Sequence, residues 1–134
     1  MALIDQAQDF VCNLLKDKLS VLYTYHNFNH TLGVVDAVKT LSDSEKLDPI
    51  DKEIIVIAAL FHDAGYINGC TNHEEVSCDI AAGFLKESGK ADDYIEKVSS
   101  LILATRMDYI PQNLLEKIIK DADSNTGACR FVCL

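Results

Sequence analysis

An all-α fold, a compact bundle of about six helices forming one domain over residues 1–134, is what this sequence predicts. Three observations carry it. Apolar residues recur at three- and four-residue intervals along most of the chain, which is the spacing of one helix face. Turn-forming clusters, Asp48-Pro49, Gly65 to Asn72 and Ser88-Gly89, fall between those stripes. The β-branched run Ile54 to Ile57 has the composition of a buried strand, but its length and its continuous helical flanks assign it to a helix.

The elements follow in order. Leu3, Ile4, Ala7, Phe10, Val11, Leu14, Leu15 and Leu19 form the stripe of an amphipathic first helix. A second covers Asn29 to Leu41, with Leu32, Val35, Val38 and Leu41 inward, before a polar turn at Ser42 to Lys46. Asp48 caps a third helix, and Pro49 sits in its first turn, where the missing N–H costs nothing. This helix runs to about His62 and is apolar nearly all round (IIVIAALF), so it belongs at the centre. Gly65 to Asn72 reads as a loop. Asn72, with Glu75 three residues on, reads as a variant capping box that starts a fourth helix ending at Ser88-Gly89. Asp92 to Thr105 makes a fifth. Pro111 opens a sixth through Leu114, Leu115, Ile118 and Ile119 towards Asp123. There is no internal repeat, low-complexity tract or linker.

Composition narrows the function. The 134 residues are 49% hydrophobic and only 7% aromatic, a globular composition with an aliphatic core. The formal net charge of −9, from 21 acids and 12 bases with no basic stripe, argues against nucleic acid as a partner. No apolar run approaches 18 residues and MALIDQAQDF lacks a signal pattern, so a soluble, cytoplasmic protein off the membrane is expected. Five cysteines, an odd number without a C-x-x-C pair, argue against a disulfide framework or zinc ribbon and read mostly as small buried hydrophobes.

Chemistry centres on four histidines, each near another residue able to bind metal or move a proton. His26 and His30 are four apart and share a face where that segment is helical. His62 and Asp63 end the most hydrophobic helix, His73 precedes Glu74 and Glu75, and Asp121 and Asp123 close an apolar helix. Each has a structural reading: a satisfied core histidine, or a helix-end charge. Carboxylates buried after apolar stretches are costly, however, and a shared cation removes that cost. Neutral imidazole with carboxylate suits zinc, iron, nickel or manganese. On the residues alone, both readings stand.

The segments YHNFNHT (25–31), LFHDAGY (60–66), NHEEVS (72–77) and KDADSNTG (120–127) together resemble the HD superfamily of metal-dependent phosphohydrolases. That family's pattern is a histidine, a His-Asp pair and a distant aspartate on helices around one ion. The resemblance covers about residues 20–127 and implies an HD-domain-like fold, with His30, His62, Asp63 and Asp123 as ligands to one divalent ion (Mn, Fe, Ni, Zn, Co or Mg). Asp121 is the alternative to Asp123. YHN-x-x-H also resembles the opening motif of cyclic nucleotide phosphodiesterases, which implies His26 as general acid; its structural reading is a histidine bonded to backbone. His73 matches a His-Glu step over the substrate phosphate, with Glu74 or Glu75 orienting it or a water. Glu75 fits better as a first-turn charge at the cap position. Arg106, with Thr105, is a candidate phosphate contact, or an ordinary helix-end charge.

Two departures shape the expectation. Binuclear relatives carry HD-x-x-H, and here that position is Tyr66, so a single ion is expected. The chain is also short at the C-terminus beside relatives that continue with further helices; either helices that close the site are absent or a partner chain supplies them, which makes a homodimer an expectation. Three readings result. The first is hydrolysis of a small phosphorylated metabolite, a nucleotide, with Asp63, His26 and His73 catalytic and Glu74 and Arg106 binding substrate. The second is a non-catalytic metal- or ligand-binding module. The third, a di-iron oxygenase or lyase, needs the histidine that Tyr66 replaces.

Overall fold

A computed structural model describes residues 2–18, 21–68 and 72–125, with the side chains of 21–27, 68 and 125 outside the description. Among the described residues there are six α-helices and no strand: α1 (Leu3–Lys18), α2 (Val21–Ser44), α3 (Pro49–Phe61), α4 (His73–Glu87), α5 (Asp92–Leu103) and α6 (Leu114–Asn125). The all-α expectation holds.

Helix α3 is the axis of the bundle. All eight residues from Ile54 to Phe61 are buried, and the helix packs against each of the other five. A helix apolar on every side needs neighbours on every side, and each fully buried Ile or Leu contributes roughly 1.5–3 kcal/mol. Its start is fixed locally. Asp48 accepts a hydrogen bond from the Asp51 N–H at 2.8 Å, with Pro49 next to it. Asp48→Ala is expected to cost about 1 kcal/mol, read as a lower urea midpoint with an unchanged slope.

Helix α1 lays Ala7, Val11 and Leu15 into the core. Phe10 remains 38% exposed, yet its ring packs against Phe61 and Phe84, with centroids 6.0 and 5.1 Å away. Helix α4 ends as expected at Ser88-Gly89. Gly89 takes φ +83°, its N–H bonds the Lys86 carbonyl, and the Lys90 N–H bonds that of Leu85, which is the Schellman arrangement.

The structure corrects several boundaries: α2 ends at Ser44 rather than Leu41 and α5 at Leu103 rather than Thr105. Helix α2 starts at Val21 rather than Asn29, because nothing in VLYTYHNF breaks a helix. The loop expected from Gly65 contains a turn of 3-10 helix, Ala64–Asn68. Asn72 is no capping box: its backbone is left-handed (φ +56°) and its side chain makes no cap bond. The reciprocal cap lies at α6 instead, which starts at Leu114 rather than Pro111. There Asn113 Oδ1 accepts from the Glu116 N–H at 3.0 Å, and Glu116 Oε1 accepts from the Gln112 N–H at 2.8 Å and from the Tyr109 hydroxyl at 2.9 Å.

Cys12 and Cys78 are free and half-buried rather than fully buried; Cys70, Cys129 and Cys133 lie outside the described residues. Burial pushes the Cys78 thiol up to about 11. Among the described residues no helix is long and apolar enough to cross a membrane.

Candidate metal centre

Three helices deliver four side chains to one point. His30 projects from α2, His62 and Asp63 follow the last turn of α3, and Asp123 lies in the last turns of α6. One ligand atom from each falls within 4.8 Å of all the others. His30 Nε2 is 3.1 Å from Asp123 Oδ1 and 3.5 Å from Asp63 Oδ2. His62 Nε2 is 3.2 Å from Asp63 Oδ2 and 3.3 Å from Asp123 Oδ1. Donors about 2.1 Å from one ion stand roughly 3.0–3.4 Å apart in octahedral or tetrahedral geometry; the three shorter separations fall in that range and the His30–Asp63 separation lies just above it.

The hydrogen bonding fits an ion as well. His62 is fully buried, and its Nδ1 lies 2.6 Å from the Ala59 carbonyl oxygen, to which it donates. That bond fixes the tautomer and leaves Nε2 as the ligand atom, the usual arrangement around metal-binding histidine. Nε2 itself, buried beside two carboxylates, has no hydrogen-bond partner. Asp123 is buried, whereas Asp121 is exposed on the other side of α6. Between the two candidates, the fold brings Asp123 to the cluster.

Without an ion, His62 and the two aspartates shift one another's titration. Burial acts to lower the His62 pKa, but the Asp63 charge and the contacts with Asp123 and Asp63 outweigh it and hold the imidazole well above its usual range. Burial acts to raise Asp63, and the charge and contact of His62, followed by His73 and His30, bring it well below the carboxylate range. Asp123 is likewise depressed, burial being outweighed by its contacts with His30 and His62.

The signs give a prediction for metal-free protein. The raised histidine stabilises below about pH 6.5 and loses that contribution as pH rises through its folded pKa; the depressed aspartates stabilise above about pH 4 and lose theirs in stronger acid. Chelator-treated protein is therefore expected to melt highest between those limits and to weaken towards alkaline pH. Metal-loaded protein is expected to gain stability with pH, since ligation needs unprotonated His62. Parallel Tm–pH curves for the two forms would contradict this.

A second group of side chains adjoins the cluster. His73 Nε2 is 3.4 Å from Asp63 Oδ1 and 3.0 Å from Glu74 Oε2, and its ring stacks on Tyr66, with centroids 4.1 Å apart and planes 16° apart. Arg106 Nη2 bonds Glu75 Oε1 at 2.6 Å, and its Nε is 4.0 Å from Glu74 Oε1. Glu75 is a first-turn charge of α4, as expected, and also pairs with Arg106. Thr105 donates its hydroxyl to the Ile102 carbonyl at 2.7 Å. Lys120 donates to the Arg106 carbonyl, tying α6 to the turn that carries Arg106. The side chain of His26 lies outside the described residues.

Gly65 and Ser77 were not among the expected site residues. The Gly65 N–H donates to Ser77 Oγ at 2.8 Å, and that hydroxyl donates to the His62 carbonyl at 3.0 Å, fastening the turn after Asp63 to α4. Their signal lay in LFHDAGY and NHEEVS, where Gly65 read only as loop punctuation and Ser77 as a helix residue.

Residues 27–126 match the HD domain family. The chain belongs to that family. A solved structure similar to this HD domain is a predicted HD superfamily hydrolase from an uncultured Thermotogales bacterium. The two are 27% identical with a TM-score of 0.73, and the match covers 90% of this chain and 66% of that one. No curated protein matches the sequence. In this HD domain the His30–His62–Asp63–Asp123 cluster is the group that could hold a metal ion.

Proposed function

We propose that this HD domain is a metal-dependent phosphohydrolase acting on a small phosphorylated metabolite, a nucleotide being the favoured class. The single observation that carries the reading is the convergence of four buried donors within 4.8 Å, among them a His62 Nε2 with no hydrogen-bond partner. A divalent ion held there by His30, His62, Asp63 and Asp123 supplies a Lewis acid and lowers the pKa of water, in the best cases to about 7.

The chain's own residues supply the rest. Asp63 Oδ2 faces His30 and His62, while Oδ1 faces His73, so one carboxylate joins the ligand set to the outer group. From there it can accept a proton from the attacking water. His73 is the candidate donor to a phosphoryl oxygen, held by Glu74, and Arg106 beside them is the candidate second phosphate contact. His26, one helical turn before His30 on α2, is proposed as the acid that protonates the leaving alkoxide, a role that typically adds ~10² to 10⁴-fold.

The test is metal analysis combined with a panel of nucleotides and general phosphate esters. Hydrolysis that stops with chelator and returns with added Mn²⁺, Co²⁺ or Ni²⁺ is expected. Metal-loaded protein that hydrolyses none of the panel would sink the reading. If chelation still lowered its Tm, a non-catalytic metal-binding module would take its place.

A further inference from the structure

The outer group contains a residue without an assigned role. Tyr66 follows the His-Asp pair by three positions, inside the 3-10 turn. Two local features bring its ring to His73. Gly65 approaches α4 so closely that an added Cβ would lie 2.0 Å from the His73 carbonyl oxygen. The Gly65–Ser77–His62 hydrogen bonds then hold the turn in that place. The neighbouring tyrosine lies nearly parallel to the imidazole, 4.1 Å away.

An imidazole ring rotates broadly about its second side-chain torsion, since such a bond has shallow, two-fold preferences. His73 Nε2 meets Asp63 Oδ1 and Glu74 Oε2 only while the ring keeps one plane. Glu74 constrains one nitrogen; the flat face of Tyr66 constrains the plane. Stacking of this kind needs an aromatic ring and not a hydroxyl.

We propose that Tyr66 is a positioning residue, whose ring fixes the plane of His73 and through it the contact of His73 with Asp63. The catalytic part of this inference rests on the phosphohydrolase reading; the orientation part does not. Three variants test it: Tyr66→Phe, Tyr66→Leu and Tyr66→Leu combined with His73→Asn. Tyr66→Phe is expected to match the parent. Tyr66→Leu is expected to keep its metal content and to lose about tenfold in kcat, with KM within about twofold. Added to His73→Asn, the leucine change is expected to do nothing more, the non-additivity of residues acting as one unit.

A readout independent of turnover is the ring ¹H–¹⁵N spectrum of His73, taken on protein that is metal-free or loaded with diamagnetic Zn²⁺. One set of sharp signals is expected in the parent and in Tyr66→Phe, and averaged or broadened signals in Tyr66→Leu. Unchanged His73 signals in Tyr66→Leu, additive kinetic losses, or equal losses in the phenylalanine variant overturn the proposal. If the metal-loaded parent hydrolyses no ester, the functional reading fails alone and the spectra still decide the positioning.

Discussion

His62→Ala is expected to lower metal affinity by well over 100-fold and to reduce phosphoester hydrolysis to background. Loss of a residue that merely orients a ligand already costs about 10–100-fold, and His62 is itself one of the four donors. It is also fully buried and in contact with both aspartates. The metal-free protein is affected too. Asp63 and Asp123 then keep His30, and Asp63 also His73, but lose the imidazole that touches both carboxylates, so their mutual repulsion is less compensated. Metal content after dialysis, measured beside Tm, checks both parts. Asp121→Ala is the matched control, because that exposed side chain points away from the cluster, and it is expected to retain metal and activity. A His62→Ala protein that still carries one tightly held ion would be incompatible with the site described above.

Gly65→Ala is expected to be the most destabilising methyl group that can be added near the site. The new Cβ would lie 2.0 Å from the His73 carbonyl oxygen and 2.8 Å from the Ser77 nitrogen. Both are backbone atoms of α4 and cannot swing aside as a side-chain tip does. Relief requires the turn and α4 to separate, which breaks the Gly65 N–H bond to Ser77 and moves His73 away from Tyr66 and Asp63. Overpacking typically costs 1–3 kcal/mol and occasionally more; about 3 kcal/mol is expected here, a fall in Tm on the order of 10 °C. Thermal melts of Gly65→Ala and Gly83→Ala make the comparison, since an added Cβ at Gly83 meets nothing within 4 Å. Equal melting temperatures for the two variants would refute the argument.

Much of the fold and part of the site are legible in the residues. The helix class follows from apolar spacing, and the centrality of α3 from its unbroken apolar run, because both depend on period and composition alone. Local start and stop signals were legible where chemistry leaves one solution, as at Asp48-Pro49 and Ser88-Gly89. They failed where two sites carried the same pattern. Asn-x-x-Glu occurs at 72–75 and at 113–116, and only the second forms the reciprocal cap. At the first, Asn72 has a left-handed backbone, and Glu75 pairs with Arg106 beyond the end of α5.

The sequence by itself determined that helices would carry a histidine, a His-Asp pair and a late aspartate, in the order that resembles the HD family. Only the tertiary structure decided which of Asp121 and Asp123 faces His30, that Thr105 turns its hydroxyl to the backbone, and that Tyr66 lies on His73. The reason is separation along the chain. His30 and Asp123 are 93 positions apart, and their meeting depends on how α2 and α6 pack around α3. Helical period states which side chains share a face; it does not state which face of which neighbour they meet.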